Sequence, residues 1–396
     1  MKKILSLSAF LLLVLGFGSC SNTDLDSSIN ETNQSVVNNA NDVINNLESS
    51  FETHTRANGV QSVYPDYYCG SYLKDGVLIV KVKGIILEEY EKDLTQRCKS
   101  ENFIIEEGTT TMNELLSVRD IINSRDEMGG WKVLGISGCG IDPKEGKVVV
   151  MLEDLSEASI YKFKKEVIDS PLVKFWQLTF TETEGSLDNN VEATPFSITP
   201  TAMIPGEGFY SAQGGGTVGY RCVYKTKPCI VTAGHTVKAV GNKMLDNQDY
   251  KTELGSCVEC DATGYDLAVC TLASNVSSSN TFDYNNATIT IVDGTFDNVK
   301  KDNMVAFKGF YHRGPGKIIV EKTKIPGRTF TEFAVATYDS QSGDSGGLVF
   351  SPSTKRAVGI HVATGNVTVD GVSQKGAVFL PCSAIKWKYG TLPKNN

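Results

Sequence analysis

The sequence predicts an all-β domain, built as a sandwich or a double barrel, that follows a small α+β domain. Two observations support this prediction. In the second half of the chain, short β-branched runs alternate with Gly, Pro, Asn and Asp, as expected for strands joined by tight turns. In the first half, strand-like runs alternate with segments whose apolar residues recur at helical spacing. Glycine, at 37 of 396 residues, is frequent enough to supply many turns.

The α+β domain is predicted over residues 60–185. Residues 76–82 have the pattern of a strand, and residues 140–150 have that of two strands joined by an Asp-Pro turn. Residues 112–122 and 156–168 carry apolar residues at helical spacing, which predicts two helices.

The all-β domain is predicted over residues 204–396, after a polar, acidic linker over residues 186–203. Its expected strands are short and bounded by turn-forming residues. They cover residues 217–224, 229–233, 266–272, 287–292, 304–309, 317–322, 332–337, 348–350, 357–362 and 377–379.

The N-terminus has the pattern of a targeting segment. Two lysines precede an apolar stretch over residues 4–17, which is shorter than the ~20 residues of a membrane span and ends just before Cys20. This pattern resembles a bacterial lipoprotein signal, and the resemblance implies a signal peptide over residues 1–19 and lipidation of Cys20. A plain secretory signal cleaved nearby is the alternative. Either signal exports the protein, and acyl chains on Cys20 would anchor it to a membrane.

Residues 20–59 are predicted to be a flexible tether, because residues 21–50 are rich in Asn, Ser and Asp and poor in large apolar residues. A helix over residues 36–47 is the alternative within this segment. The formal net charge of −8 and the lack of a basic run beyond the first residues argue against nucleic acid as a partner.

Ten cysteines fit an exported protein with disulfides. Cys222 and Cys229 flank a turn-like segment and could bridge a hairpin. Cys257 and Cys260 have the spacing of half a zinc site, but no second ligand pair lies at typical spacing, so we expect no metal. No other cofactor is expected either.

Three short motifs carry the chemistry. Residues 343–347 read Gly-Asp-Ser-Gly-Gly, a tight loop that exposes the hydroxyl of Ser345 and can turn the N–H groups of Gly343 and Ser345 toward one developing oxyanion. A serine hydroxyl needs a base, and His235 ends a Thr-Ala-Gly-His sequence upstream. Between them Asp266 enters an apolar, strand-like run.

The order His235, Asp266, Ser345 and the three local contexts resemble the chymotrypsin-like serine peptidases of the trypsin and streptogrisin type. The resemblance implies two six-stranded β-barrels with the triad between them and a closing helix over residues 383–389. The predicted fold class is then an all-β double β-barrel peptidase domain preceded by a small α+β domain.

The resemblance assigns a role to each triad residue. Ser345 would be the nucleophile, His235 the general base and acid, and Asp266 the group that orients the imidazole. Family members often place a Ser that hydrogen-bonds the triad Asp, and the matching position here is Val362. The implied activity is a serine endopeptidase that cleaves protein or peptide substrates through an acyl-enzyme. A catalytically weak surface-binding lipoprotein on the same scaffold is the alternative class.

Residues 136–180 resemble the small pro-domains that precede streptogrisin-type and α-lytic-type peptidases, which implies that the chain's own pro-like domain is a binding partner. We therefore expect a precursor that is cut between about residues 181 and 205.

Two residues give conflicting predictions of specificity. Asp339, six residues before Ser345, resembles the pocket-base Asp of trypsin, which selects Lys or Arg. His361 resembles the pocket His of bacterial glutamyl endopeptidases, which favours Glu. A buried carboxylate gains most by pairing with a cation, so a basic preference is expected, with a glutamyl preference as the alternative.

Overall fold

The computed structural model describes residues 40–56, 59–126, 129–180, 202–212, 214–246 and 252–395. The signal peptide, Cys20 and most of the predicted linker lie outside these residues. No helix within the described ranges is long and apolar enough to cross a membrane.

The N-terminal domain, residues 40–180, is mixed α+β as predicted. Its helices are α1 (residues 40–50), α2 (Glu88–Cys98), α3 (Met112–Ser124), α4 (Gly130–Leu134) and α5 (Glu157–Glu166). Its strands are β1 (Glu52–Arg56), β2 (Gly59–Val63), β3 (Tyr68–Lys74), β4 (Val77–Lys83), β5 (Phe103–Gly108), β6 (Ile136–Asp142), β7 (Lys147–Leu152) and β8 (Val173–Phe180).

The prediction of a flexible tether over residues 20–59 is wrong for its second half. Residues 40–50 form α1, and Val43, Ile44 and Leu47 on this helix are buried in the apolar core of the N-terminal domain. A helix that is polar overall can still pack against an apolar core when its apolar residues lie along one side. Residues 20–39 lie outside the described residues.

Local chemistry explains the elements that the sequence predicted in this domain. Helix α3 begins with a capping box, in which the Thr111 hydroxyl accepts from Glu114 N and the Glu114 carboxylate accepts from Thr111 N. Between β6 and β7, the Asp142 carboxylate accepts from Lys144 N and Glu145 N and so closes the predicted turn.

The C-terminal domain, residues 202–395, is almost entirely β. Its first part comprises β9 (Ala202–Met203), β10 (Gly208–Ser211), β11 (Gly214–Thr217), β12 (Tyr220–Tyr224), β13 (Lys227–Thr232), α6 (Gly234–Val237), β14 (Lys243–Leu245), β15 (Glu253–Asp261) and β16 (Leu267–Leu272). The strands pair in the order β11-β10-β14-β15-β16-β13-β12. Since β11 runs directly into β12, the two ends of this sheet are joined and the sheet closes into a barrel.

The second barrel follows two short pairings, between β17 (Ser277–Ser278) and β9, and between β18 (Thr281–Tyr284) and β19 (Ala287–Thr290). It comprises β20 (Met304–Lys308), β21 (Arg313–Lys324), β22 (Phe333–Ala336), β23 (Leu348–Phe350), β24 (Ala357–Val369) and β25 (Val372–Pro381), and α7 (Cys382–Tyr389) follows it. The strand order β20-β23-β24-β25-β22-β21 closes through a β20–β21 pairing. The predicted double β-barrel is therefore confirmed.

The N-terminal domain is joined to the second barrel by backbone pairing. Strand β6 pairs with β21, and β8 pairs with β24, so β6, β7 and β8 complete a further ring with β21, β22, β25 and β24. Val149 and Trp176 from the N-terminal domain are buried in the same core as Val320 and Phe333 from the barrel. One apolar core therefore draws residues from both domains.

The predicted disulfides are not present in the structure. Every cysteine among the described residues has a free thiol, although Cys222 and Cys229 lie directly opposite each other on β12 and β13. Cys257 likewise faces Cys270 across β15 and β16. No group of three or more His, Cys, Asp or Glu side chains within the described ranges could hold a metal ion.

Candidate active site

The three residues of the predicted triad lie at the ends of strands from both barrels. His235 lies in α6, the single turn that follows β13, and Asp266 immediately precedes β16. Ser345 lies in the loop between β22 and β23 of the second barrel. Strands β13 and β16 are hydrogen-bonded neighbours, which brings His235 and Asp266 together.

His235 and Asp266 form a buried pair. The imidazole Nδ1 lies 2.8 Å from Asp266 Oδ2 and 3.0 Å from Oδ1, and the backbone N–H of His235 donates to Oδ1 at 2.8 Å. Asp266 has a left-handed backbone conformation, with φ of 55°, which is uncommon for a non-glycine residue and clusters at functional sites. These bonds fix the imidazole so that its other nitrogen, Nε2, can face a reacting group.

A guanidinium that the sequence did not reveal completes the surroundings of Asp266. Arg328, in the loop between β21 and β22, donates to Asp266 Oδ2 from Nε at 3.2 Å and from Nη2 at 2.7 Å. Burial raises the pKa of Asp266, but the His235 imidazole and the Arg328 guanidinium outweigh it and lower that pKa to about 2. Asp266 is therefore ionised at any pH at which the protein is expected to work.

The Ser345 loop is held against the first barrel. The N–H of Thr217 donates to Ser345 O at 2.8 Å, and the Thr217 hydroxyl donates to Gly343 O at 2.7 Å. Gly346 has a φ of 94°, and a Cβ at this position would lie 2.2 Å from the hydroxyl oxygen of Thr232, the last residue of β13. Glycine is thus required at position 346, and the close approach brings the Ser345 loop next to the turn that carries His235.

The N–H groups of the loop divide into two sets. Those of Asp344 and Gly346 donate to backbone carbonyls. Those of Gly343 and Ser345, the two predicted oxyanion donors, have no acceptor among the described residues. The described structure also has no hydrogen bond between the Ser345 hydroxyl and the His235 imidazole. Such contacts are often long before substrate binds.

Asp344 organises the loop from within. Its carboxylate accepts from Tyr311 N at 2.7 Å, from Gln341 N at 3.0 Å and from His312 Nδ1 at 2.9 Å. Burial raises the pKa of Asp344, and these hydrogen bonds oppose that effect. This network holds the loop in shape.

Asp339 does not form the buried pocket base on which the predicted basic preference depends. Its side chain is 54% exposed and pairs with Lys375 Nζ at 3.5 Å, and its second neighbour is His312 Nε2 at 4.0 Å. An exposed carboxylate that already has a cationic partner gains little by binding a substrate cation. The structural premise for a basic preference is therefore wrong.

His361 lies in β24 and is completely buried. Its Nδ1 lies 3.0 Å from the Tyr338 hydroxyl, its Nε2 lies 3.1 Å from Thr364 Oγ1, and Thr364 Oγ1 lies 2.9 Å from Ser340 Oγ. Burial lowers the pKa of His361 to about 3, with a smaller contribution from His235. The side chain is thus a neutral link in a buried chain of hydroxyl groups.

Comparisons with known proteins found two family models that match the N-terminal part of the chain. A family model described as a Pro-like N-terminal domain matches residues 28–108, and one described as a Pro-like C-terminal domain matches residues 113–178. The first match begins inside the predicted tether, which agrees with the packing of α1. No curated protein matches the chain.

Several solved structures are similar to about half of the chain. Thermobifida fusca protease A is 19% identical, with a TM-score of 0.41, over 50% of this chain and 100% of that one. Nocardiopsis protease is 18% identical, with a TM-score of 0.40, and Cellulomonas bogoriensis chymotrypsin is 16% identical, with a TM-score of 0.39; each covers 49% of this chain and is itself covered completely. Two family models described as Pro-like domains thus match the N-terminal part of the chain, and about half of the chain is similar to these solved structures.

Proposed function

We propose that this protein is a serine endopeptidase in which Ser345, His235 and Asp266 form the catalytic triad. The observation that carries the proposal is the buried His235–Asp266 pair, which lies beside a loop that presents Ser345 and two backbone N–H groups that have no acceptor in the described part of the chain. Both His235 and Ser345 are nearly buried and keep a small exposed fraction, 8% and 9%.

The proposed chemistry proceeds in two steps. Ser345 Oγ attacks the scissile carbonyl carbon while His235 Nε2 takes the hydroxyl proton, and His235 then gives that proton to the leaving amine as the peptide bond breaks. Water repeats the sequence on the acyl-enzyme and releases the acid product. Asp266 holds the tautomer with a proton on Nδ1 and stabilises the imidazolium that forms in each step.

The oxyanion of each tetrahedral intermediate would accept hydrogen bonds from Gly343 N and Ser345 N. Donors that are fixed before the reaction cost no reorganisation when the charge develops, and one such donor typically supplies about 3 kcal/mol of transition-state stabilisation. The bonds from Thr217 to the two carbonyls of this loop and the Asp344 network would hold both donors in place.

We propose a preference for acidic rather than basic residues before the scissile bond. Asp339 is exposed and paired, whereas the chain from Tyr338 through His361 and Thr364 to Ser340 is neutral and rich in hydroxyl donors. The hydroxyl donors of this chain can stabilise a substrate carboxylate, while the chain carries no negative charge to neutralise a buried substrate cation. Cleavage of a mixed peptide library after Lys or Arg would contradict this preference, and cleavage after Glu that falls in the variant Thr364→Val would support it.

The proposed setting is the cell envelope. The signal over residues 1–19 would export the chain, and acyl chains on Cys20 would anchor it in a membrane. The Pro-like domains would serve as an intramolecular partner of the peptidase domain, and proteolysis between about residues 181 and 205 would break the covalent link between the two.

Removal of the nucleophile tests the proposed function. The variant Ser345→Ala should lose casein hydrolysis almost completely, since triad residues act as a unit and a single loss can cost on the order of 10⁶ in turnover. A matched control is Ser351→Ala, which removes a buried hydroxyl beyond β23 and should leave the activity intact. If Ser345→Ala keeps more than a tenth of the parent activity, Ser345 is not the nucleophile. A parent protein without any activity would favour the alternative class, a surface-binding lipoprotein.

A further inference from the structure

One carboxylate oxygen of Asp266 contacts two basic side chains. Oδ2 accepts from His235 Nδ1 at 2.8 Å and from Arg328 Nη2 at 2.7 Å, with Arg328 Nε at 3.2 Å. The Arg328 side chain is 19% exposed and Asp266 is completely buried, so the contact is largely shielded from solvent. A guanidinium in this geometry constrains the carboxylate in position as well as in charge.

The loop that carries Arg328 is itself fixed on two sides. On one side, Thr329 N donates to Thr263 O at 3.2 Å, and the Phe330 ring stacks on Tyr265, the residue before Asp266, with centroids 4.3 Å apart. The guanidinium is therefore tied to the same turn that positions the carboxylate it contacts.

On the other side, the N-terminal domain holds the loop. Lys324 Nζ donates to Arg328 O at 2.7 Å and pairs with Asp126 Oδ2, also at 2.7 Å. The Lys324 backbone is in register with Cys139, where β21 pairs with β6. The position of Arg328 thus depends on contacts that cross the boundary between the domains.

We propose that Arg328 is a positioning residue of the triad, which orients the Asp266 carboxylate and shares its negative charge. The inference rests on the proposed peptidase function. By the resemblance to the chymotrypsin-like peptidases, Val362 is the position at which family members place a hydroxyl that supports the triad Asp, and its apolar side chain can donate no hydrogen bond. Arg328 supplies two donors to that carboxylate instead, and it adds a positive charge that a hydroxyl lacks.

The added charge has a consequence for pH dependence. A guanidinium paired with Asp266 reduces the negative potential at His235 and so disfavours the imidazolium. Removing the charge should move the acid limb of the activity profile to higher pH.

The other charged and titratable groups around the triad do not account for the expected shift of the acid limb. They are Cys260 and Asp261 on β15, His361 on β24, and Lys324 with Asp126 beside the Arg328 loop. A hydrogen bond with Cys257 and burial raise the pKa of Cys260, so this thiol stays neutral. Burial keeps His361 neutral, with a pKa of about 3. Asp261 is paired with Lys388 at 2.8 Å, as Lys324 is with Asp126.

Kinetics of two variants of the full chain test the proposal. Arg328→Gln should lower kcat roughly tenfold or more, because the carboxylate loses its constraint, and should leave KM nearly unchanged. The acid limb of its kcat/KM profile should move upward by roughly one pH unit, which allows for screening at the partly exposed guanidinium. Arg328→Lys keeps the positive charge. Its acid limb should therefore lie at the same pH as in the parent protein, while its kcat recovers only in part.

Arg313→Gln is the matched control, since it removes the same charge from an exposed position at the start of β21. This variant should leave the pH profile of kcat/KM unchanged. An Arg328→Gln profile that coincides with the parent profile, or a change confined to KM, would overturn the proposal.

A spectroscopic measurement separates failure of this inference from failure of the proposed function. In the Ser345→Ala background, the low-field proton resonance of His235 Nδ1 reports imidazole titration without any turnover. Its midpoint should rise on Arg328→Gln even if the parent proved to be inactive. An unchanged midpoint would overturn the role of Arg328, whatever the activity of the parent.

Discussion

Replacing His361 should make the free energy of unfolding depend less on pH below neutrality. Burial holds the pKa of His361 at about 3, whereas the unfolded chain has the ordinary value of 6.5. Below pH 6.5 the unfolded state therefore binds one more proton than the folded state, and the folded state loses stability as the pH falls towards 3. Integrated between pH 7 and pH 5, this single group costs about 2 kcal/mol.

His361→Gln should remove that cost, because Gln has no charged form and can still form hydrogen bonds with Tyr338 and Thr364. The assay is urea unfolding at several pH values in the Ser345→Ala background, which prevents autolysis. The variant should be less stable than the parent at pH 7, and the gap should narrow by about 2 kcal/mol at pH 5.

Val362→Ala, at the adjacent buried position, is the control for a general loss of packing. It should lower the free energy of unfolding by the same amount at every pH. If the gap between the parent and His361→Gln stays constant with pH, His361 is not a buried neutral imidazole, and the reasoning about the hydroxyl chain fails with it.

Two further predictions concern the N-terminal half of the chain. Proteolysis between about residues 181 and 205 should leave two fragments that coelute in size-exclusion chromatography, because the β6–β21 and β8–β24 pairings and the ion pair of the buried Lys300 with the partly buried Glu48 remain; separation without denaturant would contradict this. Cys20→Ala should move the protein from the detergent phase to the soluble exported fraction, and unchanged partitioning would contradict lipidation.

The sequence was most informative where function depends on short motifs. His235, Asp266 and Ser345 were each assigned from about five neighbouring residues, and the structure places all three at strand ends from the two barrels. Strand β23 was predicted at residues 348–350, which is where it lies. Helix α3 was also predicted, and its capping residues Thr111 and Glu114 are close in the sequence.

The sequence was less informative where burial is partial. Strand β15, Glu253–Asp261, was missed because it mixes polar and small residues and most of its second half is only half-buried. Helix α2, Glu88–Cys98, was missed because it is mostly charged and buries only Leu94 and Cys98. Such elements owe their structure to neighbours that a local pattern cannot reveal.

Contacts between distant residues that belong to no recognisable motif could not be predicted. Arg328 lies 62 residues from Asp266, in a turn where a single Arg has no distinguishing local context. The pairing of β6 with β21 and of β8 with β24 likewise joins segments more than 170 residues apart. The apolar spacing of Val43, Ile44 and Leu47 was visible, but the polar composition around these residues obscured it.

Covalent labelling by a fluorophosphonate probe tests the central claim most directly. The full chain should form a stable phosphonyl adduct on Ser345 Oγ, identified by mass spectrometry of the peptide that spans residues 343–347. Labelling should disappear in Ser345→Ala and fall steeply in His235→Ala, because the hydroxyl is a poor nucleophile without its base. A parent protein that remains unlabelled, or that labels equally well in His235→Ala, would contradict the assignment of a working triad.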